Sequence, residues 1–424
     1  MKKIKSIRLG IIFLAPLVFI FSHCFDNGKP ADPRGDAYAG QASCLNCHKK
    51  IYQNYLHTAH FLTSRPAIQA TIHGSFKPGS NTVVFNDSTK VVMEKDKDRL
   101  YQASYTDGKL KEKQRFDITF GSNRGETYLY WKGNEIYELP VTYYLYLHQW
   151  ANSPGYRGGT VKFDRPMGKR CFECHSSYIE NLPGGTGFGG QTEKFDKKSM
   201  MLNIDCERCH GPAANHVAFH TENPEQKKAM YITRISSLSR LQRIDLCGQC
   251  HAGNTGLMFR SIFDFKPGDK MADFKDTANS QQKNSAKIDV HGNQAGLLAG
   301  SKCFINGKIE CATCHNIHDE LKSVSAYSQR CTTCHSDEKH NFCKVAGQLG
   351  QSINNRCIDC HMPIESSNAI VIHSAGNLTI PAFQARVHRI AIYPEESQKI
   401  MIWLKASALG SSPVQAGRQN RRGS

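Results

Sequence analysis

The chain has 424 residues, 39% of them hydrophobic, with 54 Lys and Arg against 37 Asp and Glu for a formal net charge of +17. Such a length suits two or three ordinary domains. The basic excess suggests a nucleic-acid partner, but no nucleic-acid-binding motif accompanies it, so no nucleic acid is expected.

Residues 1–24 read as an export segment. Lys2, Lys3, Lys5 and Arg8 precede an apolar run over 10–21, too short to cross a bilayer. No other segment approaches 18 consecutive apolar residues, so a periplasmic protein or outer-membrane lipoprotein is expected, touching the membrane only through an anchor. Cys24 follows the run where a lipoprotein signal places its acylated cysteine, although Phe21-Ser22-His23 departs from the usual small residue before it. The alternative is that signal peptidase removes Cys24. Residues 25–40 are a linker rich in Gly, Pro, Asp and Lys.

Residues 41–75 surround a first pentapeptide, Cys44-Leu45-Asn46-Cys47-His48, and the apolar spacing over 49–65 predicts a helix carrying His57 and His60. Residues 76–164 hold no such motif. They alternate in short runs over 82–85, 91–93, 100–105, 115–120 and 126–131, divided by turn signals at Asp107-Gly108 and Lys132-Gly133-Asn134. This predicts an antiparallel β insertion with Tyr128, Tyr130, Trp131, Tyr143, Tyr144 and Trp150 in its core.

Residues 165–404 repeat the pentapeptide six times: Cys171, Cys174, His175; Cys206, Cys209, His210; Cys247, Cys250, His251; Cys311, Cys314, His315; Cys331, Cys334, His335; and Cys357, Cys360, His361. Gly211-Pro212 predicts a helix start that puts His216 and His220 on one face. The glycine-rich stretch 184–190 lacks the strand and Lys of a phosphate loop and reads as a connection. The polar run 276–287 reads as an exposed loop, 396–404 as a short closing helix, and 405–424 as a disordered basic tail.

Cys-x-x-Cys-His is the attachment signature of c-type haem. Two thiols add across the haem vinyl groups, and the next histidine turns under the ring as proximal iron ligand. Zinc sites built from CxxC pairs do not require a histidine after every second cysteine. The seven copies therefore predict seven covalently attached haem c groups, with His48, His175, His210, His251, His315, His335 and His361 on iron. Two propionates per haem add roughly 14 negative charges, which accounts for much of the basic excess. Beyond the haem cysteines, Cys303 and Cys343 are a possible disulfide in an oxidising compartment.

Several stretches together resemble the cytochrome c-554 type multihaem family, in a seven-haem branch common in Bacteroidetes. They are Tyr55-Leu56-His57-Thr58-Ala59-His60, Leu139-Pro140-Val141-Thr142-Tyr143-Tyr144 with Ser153-Pro154-Gly155-Tyr156, Cys206-Glu207-Arg208-Cys209-His210-Gly211-Pro212, His291-Gly292-Asn293-Gln294, residues 311–318, and Cys360-His361-Met362-Pro363. The resemblance implies a multihaem cytochrome c fold, mostly α and irregular around stacked haems, serving electron transfer in a group that also holds nitrogen-compound oxidoreductases. Every motif here is CxxCH, so the lysine-ligated haem of pentahaem nitrite reductases has no counterpart, and none is clear for the crosslinked catalytic haem of hydroxylamine oxidoreductases.

A haem with two protein ligands passes electrons, whereas an open one can bind substrate. Among 19 histidines, His216, His318 and His340 are candidate distal ligands, with His291 and His220 next; His60 and His388 join them mainly through the resemblance. His57, His73, His148 and His373 read as surface or hydrogen-bonding residues. The expected function is an electron relay exchanging electrons with redox proteins or a quinol-linked donor or acceptor. The alternatives are an oxidoreductase of nitrite, hydroxylamine or a related compound at one five-coordinate haem, and a docking subunit gripping a partner through the β insertion.

Overall fold

The computed structural model describes residues 31–156, 160–185, 192–253, 256–277, 288–319, 323–336, 339, 342–372 and 383–408. Cys24, His340 and His373, most of the glycine-rich stretch and of the 276–287 run, and the tail beyond 408 lie outside the described residues.

Strands dominate the first part. They are β1 (Ser64–Pro66), β2 (Thr82–Val84), β3 (Thr89–Asp96), β4 (Arg99–Thr106), β5 (Lys109–Arg115), β6 (Ile118–Phe120), β7 (Gly125–Lys132), β8 (Glu135–Glu138), β9 (Val141–Tyr144), β10 (Gln149–Asn152) and β11 (Arg165–Pro166). Strands β2 to β5 form a four-stranded antiparallel sheet in sequence order. The others form a seven-stranded sheet along β1-β6-β7-β8-β11, with β9 pairing both β7 and β10. Asp107 and Gly108, at φ 51° and 73°, make the two-residue β4–β5 turn whose twist suits a hairpin.

The sheets meet through one apolar cluster that joins Val91 and Met93 of β3 and Leu100 of β4 to Tyr128 and Tyr130 of β7, Val141 of β9 and Trp150 of β10. The predicted aromatic core is thus in place, with Trp131 and Tyr143 only partly buried. Gly74 lies so close to the Trp150 ring that a Cβ there would strike it. On its other side the seven-stranded sheet packs Ile118, Phe120 and Ile136 against Phe172 and Phe195. That contact seats the second pentapeptide, since Phe172 lies within it.

The remainder is short helices: α1 (Lys49–Tyr55) before the sheets, then α2 (Lys169–His175), α3 (Glu207–His210), α4 (Ala214–Glu222), α5 (Arg240–His251), α6 (Gln294–Ala299), α7 (Lys302–Asn306), α8 (Cys311–Cys314), α9 (Val324–Thr332), α10 (Ala346–Leu349), α11 (Cys357–His361) and α12 (Pro394–Ala408). Strands also occur here, as the two-stranded ladders β12 (Ser176–Tyr178) with β15 (Met201–Leu202), β13 (Asn181–Leu182) with β14 (Lys194–Phe195), and β16 (Ile364–Ser366) with β17 (Gln384–Arg386). Pairing is therefore not confined to one insertion. Among the described residues no helix is long and apolar enough to cross a membrane.

The helix expected over 49–65 ends at Tyr55. The Tyr55 hydroxyl is drawn to the Ile204 carbonyl, and the Thr58 hydroxyl takes up the Tyr55 carbonyl at 2.8 Å. His60 then lies in a turn and His57 on the surface. By contrast α4 begins just after Gly211-Pro212, and α12 closes the fold over a longer span than expected.

Candidate functional site

A helical turn brings each pentapeptide's cysteines and histidine to one side. The amide of His48, His210, His315 and His335 donates to the carbonyl of the first cysteine of its own motif at 2.9, 2.9, 3.0 and 2.9 Å. Residues between the cysteines fasten these turns to the body. Glu173 accepts from the Ser261 hydroxyl at 2.7 Å and the Ile262 amide at 3.1 Å. Arg208 donates to the Ile262 and Glu173 carbonyls, both at 2.9 Å. Glu207 accepts from the Ala39 and Gly40 amides and from Arg34, which also binds Asp32 and Asp205. Asp359 pairs with Arg356 and Arg386. Sequence reasoning passed over these residues; the available signal was a charged residue inside a motif whose flanks must be buried.

All seven pentapeptides line one continuous cavity of about 3110 Å³. A single small-molecule pocket has roughly 300–1,000 Å³, so this space suits several large ligands. His60, His216, His220, His291, His318 and His388 also line it, whereas His57, His73 and His148 lie exposed on the surface. His73 sits 2.6 Å from buried Glu126.

Four motif histidines face a histidine from elsewhere in the chain. Ring centroids are 6.4 Å apart for His48 and His216, 6.0 Å for His210 and His318, 6.2 Å for His315 and His388, and 6.2 Å for His251 and His60. The first three pairs are within 16° of parallel, and the fourth is crossed at 88°. Two imidazoles sharing one metal at about 2.0 Å per nitrogen, with each centroid about 1.1 Å behind its nitrogen, stand about 6 Å apart. His291 acts electrostatically on His175, and His335 and His361 line the same cavity. His220 lies beside His216 at 4.7 Å, where its Nε2 accepts the Met230 amide at 3.4 Å. Of these two, His216 is the one stacked on a motif histidine.

The protonation state of these histidines suits metal binding. Burial, reinforced by neighbouring imidazoles, lowers His60, His175, His210 and His388 to about 4, so they are neutral at pH 7, the form that ligates. His216, His361 and His388 donate Nδ1–H to the carbonyls of Met230, Ala391 and Arg386 at 2.8, 2.9 and 3.2 Å. A carbonyl can only accept, so this fixes the tautomer that leaves Nε2 for metal.

Thiols of different motifs meet. Cys44 lies beside Cys206, Cys174 beside Cys250, Cys247 beside Cys311 and Cys331 beside Cys357, each pair close enough for one thiol to shift the other's proton affinity. Cys209 acts on Cys247 and Cys250, and Cys314 on Cys331. The disulfide anticipated between Cys303 and Cys343 is not formed, and both are free thiols. Their sulfurs serve different neighbourhoods: Cys303 lies near Cys314 and Cys334, Cys343 near Cys360.

The lining fits haem c. It carries eight arginines and three lysines against Glu138, Asp205, Glu207 and Glu310, an excess suited to propionates. Nε of Arg208 and Nε of Arg389, both on the lining, are buried donors without a partner among the described residues, and a carboxylate acceptor would satisfy each. Histidines facing in twos suit a metal whose remaining ligands arrive with a macrocycle.

A family profile described as cytochrome c554 and c-prime matches residues 157–211. Multiheme cytochrome MtrA of Shewanella baltica is 21% identical over 196 residues, 46% of this chain and 45% of that protein. Dissimilatory sulfite reductase MccA of Wolinella succinogenes is 21% identical over 276 residues, 54% of this chain and 33% of that protein. The chain thus spans less than half the length of either curated relative. The crystal structure of outer cell wall cytochrome OcwA shares the fold at a TM-score of 0.52 and 15% identity, covering 89% of this chain and 84% of that one.

Proposed function

We propose that this chain is a multihaem c-type cytochrome that is exported, carries seven haem c groups and relays electrons through them; the matching family profile and the multihaem relatives support the reading. The four imidazole pairs, each spaced for one metal, carry this reading. Haem c supplies a one-electron iron couple at each attachment site. The protein's part would be to offer two imidazoles to the metal at each of the four paired sites, exclude water and hold the sites close together.

The thiol contacts support an order in space that differs from the order in sequence. Cys44–Cys206 places the first site beside the third, Cys209 beside Cys247 and Cys250 places the third beside the fourth, and Cys247–Cys311 continues to the fifth. Cys314 beside Cys331 and Cys331–Cys357 lead on to the sixth and seventh. Cys174–Cys250 sets the second site on a spur from the fourth. Distal histidines borrowed from other segments, such as His60 for the fourth site and His318 for the third, support the same close weave. The export segment at residues 1–24 and the lipid anchor at Cys24 belong to the proposal.

The test is EPR of the oxidised holoprotein with carbon monoxide binding to the reduced form. Low-spin signals from the four paired sites and no carbon monoxide uptake by them are expected. A high-spin signal from any of the four overturns the relay assignment for that site. Carbon monoxide uptake by one haem outside those pairs instead favours oxidoreductase chemistry there.

A further inference from the structure

The second attachment site is the only one seated directly on the β layer by a core cluster among the described residues, through Phe172 against Ile118, Phe120 and Ile136. Ile136 and Glu138 are two residues apart on β8 and so share a face of the sheet. Glu138 is 4% exposed and lines the cavity. Its side chain has one ion-pair partner, Arg165 at 2.8 Å on the neighbouring strand β11, whose side chain is 43% exposed. Among the described residues, the groups that sense Glu138 are Arg165, Tyr144 of β9, Tyr156 of the loop after β10 and Cys171, the first attachment cysteine of the second motif. A buried carboxylate therefore stands at the edge of the spur site, with a half-exposed guanidinium between it and water.

The geometry points to Glu138 as the proton acceptor coupled to reduction of the second attachment site. The inference rests on haem being attached there. One electron arrives along the relay and one proton from solvent binds the Glu138 carboxylate; no bond to carbon changes and nothing leaves. The coupling is reciprocal: an electron added in a poorly solvated wall raises the carboxylate's proton affinity, and a proton on the carboxylate favours the electron. Burial, only partly offset by Arg165, pushes Glu138 up to about 7, so the exchange falls at neutral pH. With that raised value the carboxylate is protonated below neutrality and charged above it, and its charge opposes reduction. The potential of the second site therefore falls as pH rises through 7.

The experiment is a spectroelectrochemical titration of the holoprotein from about pH 5 to about pH 9, beside Glu138→Gln and Arg165→Gln, with attached haem counted by peptide mass. One potential in the wild type is expected to fall with pH at a slope approaching about 59 mV per unit, the one-electron, one-proton limit. Glu138→Gln abolishes that slope and holds the potential at its low-pH value. Arg165→Gln removes the cation that favours the carboxylate and moves the transition to higher pH. An unchanged slope in Glu138→Gln with seven haems attached overturns the proposal. If that variant does not accumulate, a transition unmoved by Arg165→Gln does so. A Cys171–Cys174 peptide without haem in the wild type defeats the attachment reading itself, a separate outcome visible in the mass.

Discussion

The two halves of the molecule solve burial differently. In the β layer, side chains fill the interior: Val91, Met93, Leu139 and Tyr128 are fully buried, and Phe116 sits edge-on to Tyr128 at 4.7 Å. In the attachment half, cysteines, histidines and arginines surround a space of about 3110 Å³, and ion pairs through Glu207 and Asp359 tie down the third and seventh turns. The first half carries its own hydrophobic driving force. The second needs a cofactor to supply the apolar surface it lacks, and its basic lining anticipates the cofactor's acid groups.

The largest effect comes from withholding haem. In a chain made without haem attachment, amides of β3, β4 and β7 are expected to keep slow hydrogen exchange while those of α5, α8 and α11 exchange at rates near the unfolded chain. Equal protection in both halves breaks the comparison. Next is Phe116→Ala, which removes a ring held among Phe76, Tyr128 and Trp150 and is expected to cost about 3–5 kcal/mol in denaturant unfolding. Haem content by absorbance should stay unchanged; loss of haem in step with the sheets would mean that the halves fold as one. Smaller again is His216→Ala. One site, that of His48, turns high-spin by EPR and takes up carbon monoxide, with the β-layer unfolding midpoint unmoved. A low-spin first site in this variant removes His216 as its ligand.

The cofactor was legible because its chemistry dictates residue type and spacing together, and the β layer because alternation and Asp107-Gly108 are local signals. The end of α1 was not, since it is decided by Tyr55 reaching Ile204, 149 residues away. Nor could sequence pair His60 with His251 or Cys174 with Cys250: contacts between segments far apart in the chain are set by how the turns stack. Parity of the cysteines suggested a bond between Cys303 and Cys343, yet parity is blind to direction, and the two thiols look toward different motifs. Glu207 escaped notice because a charged residue in a short motif looks solvated until Arg34 is brought over it from 173 residues away.

The smallest effect lies in that same join. Arg34 ties Asp32 to Asp205 and Glu207, so ion pairs, together with the Ala39 and Gly40 amides on Glu207, hold the segment before the first motif to the third motif. Burial works against the Asp32 carboxylate, but hydrogen bonds and charge from Arg34 hold it below its usual value. A depressed folded-state value means that the Asp32 contribution is present above the unfolded carboxylate range and is lost as pH falls through the folded value. Glu207 opposes this, because burial raises it despite Arg34, and its charge costs stability as pH rises. Comparing Asp32→Asn with the wild type isolates the first contribution. The variant is expected to be less stable at neutral pH, with the difference closing as the solution is acidified, read from denaturant midpoints along a pH series. A gap that stays constant with pH would show that Asp32 acts by packing and not by charge, and that the join, like the β layer, depends on shape.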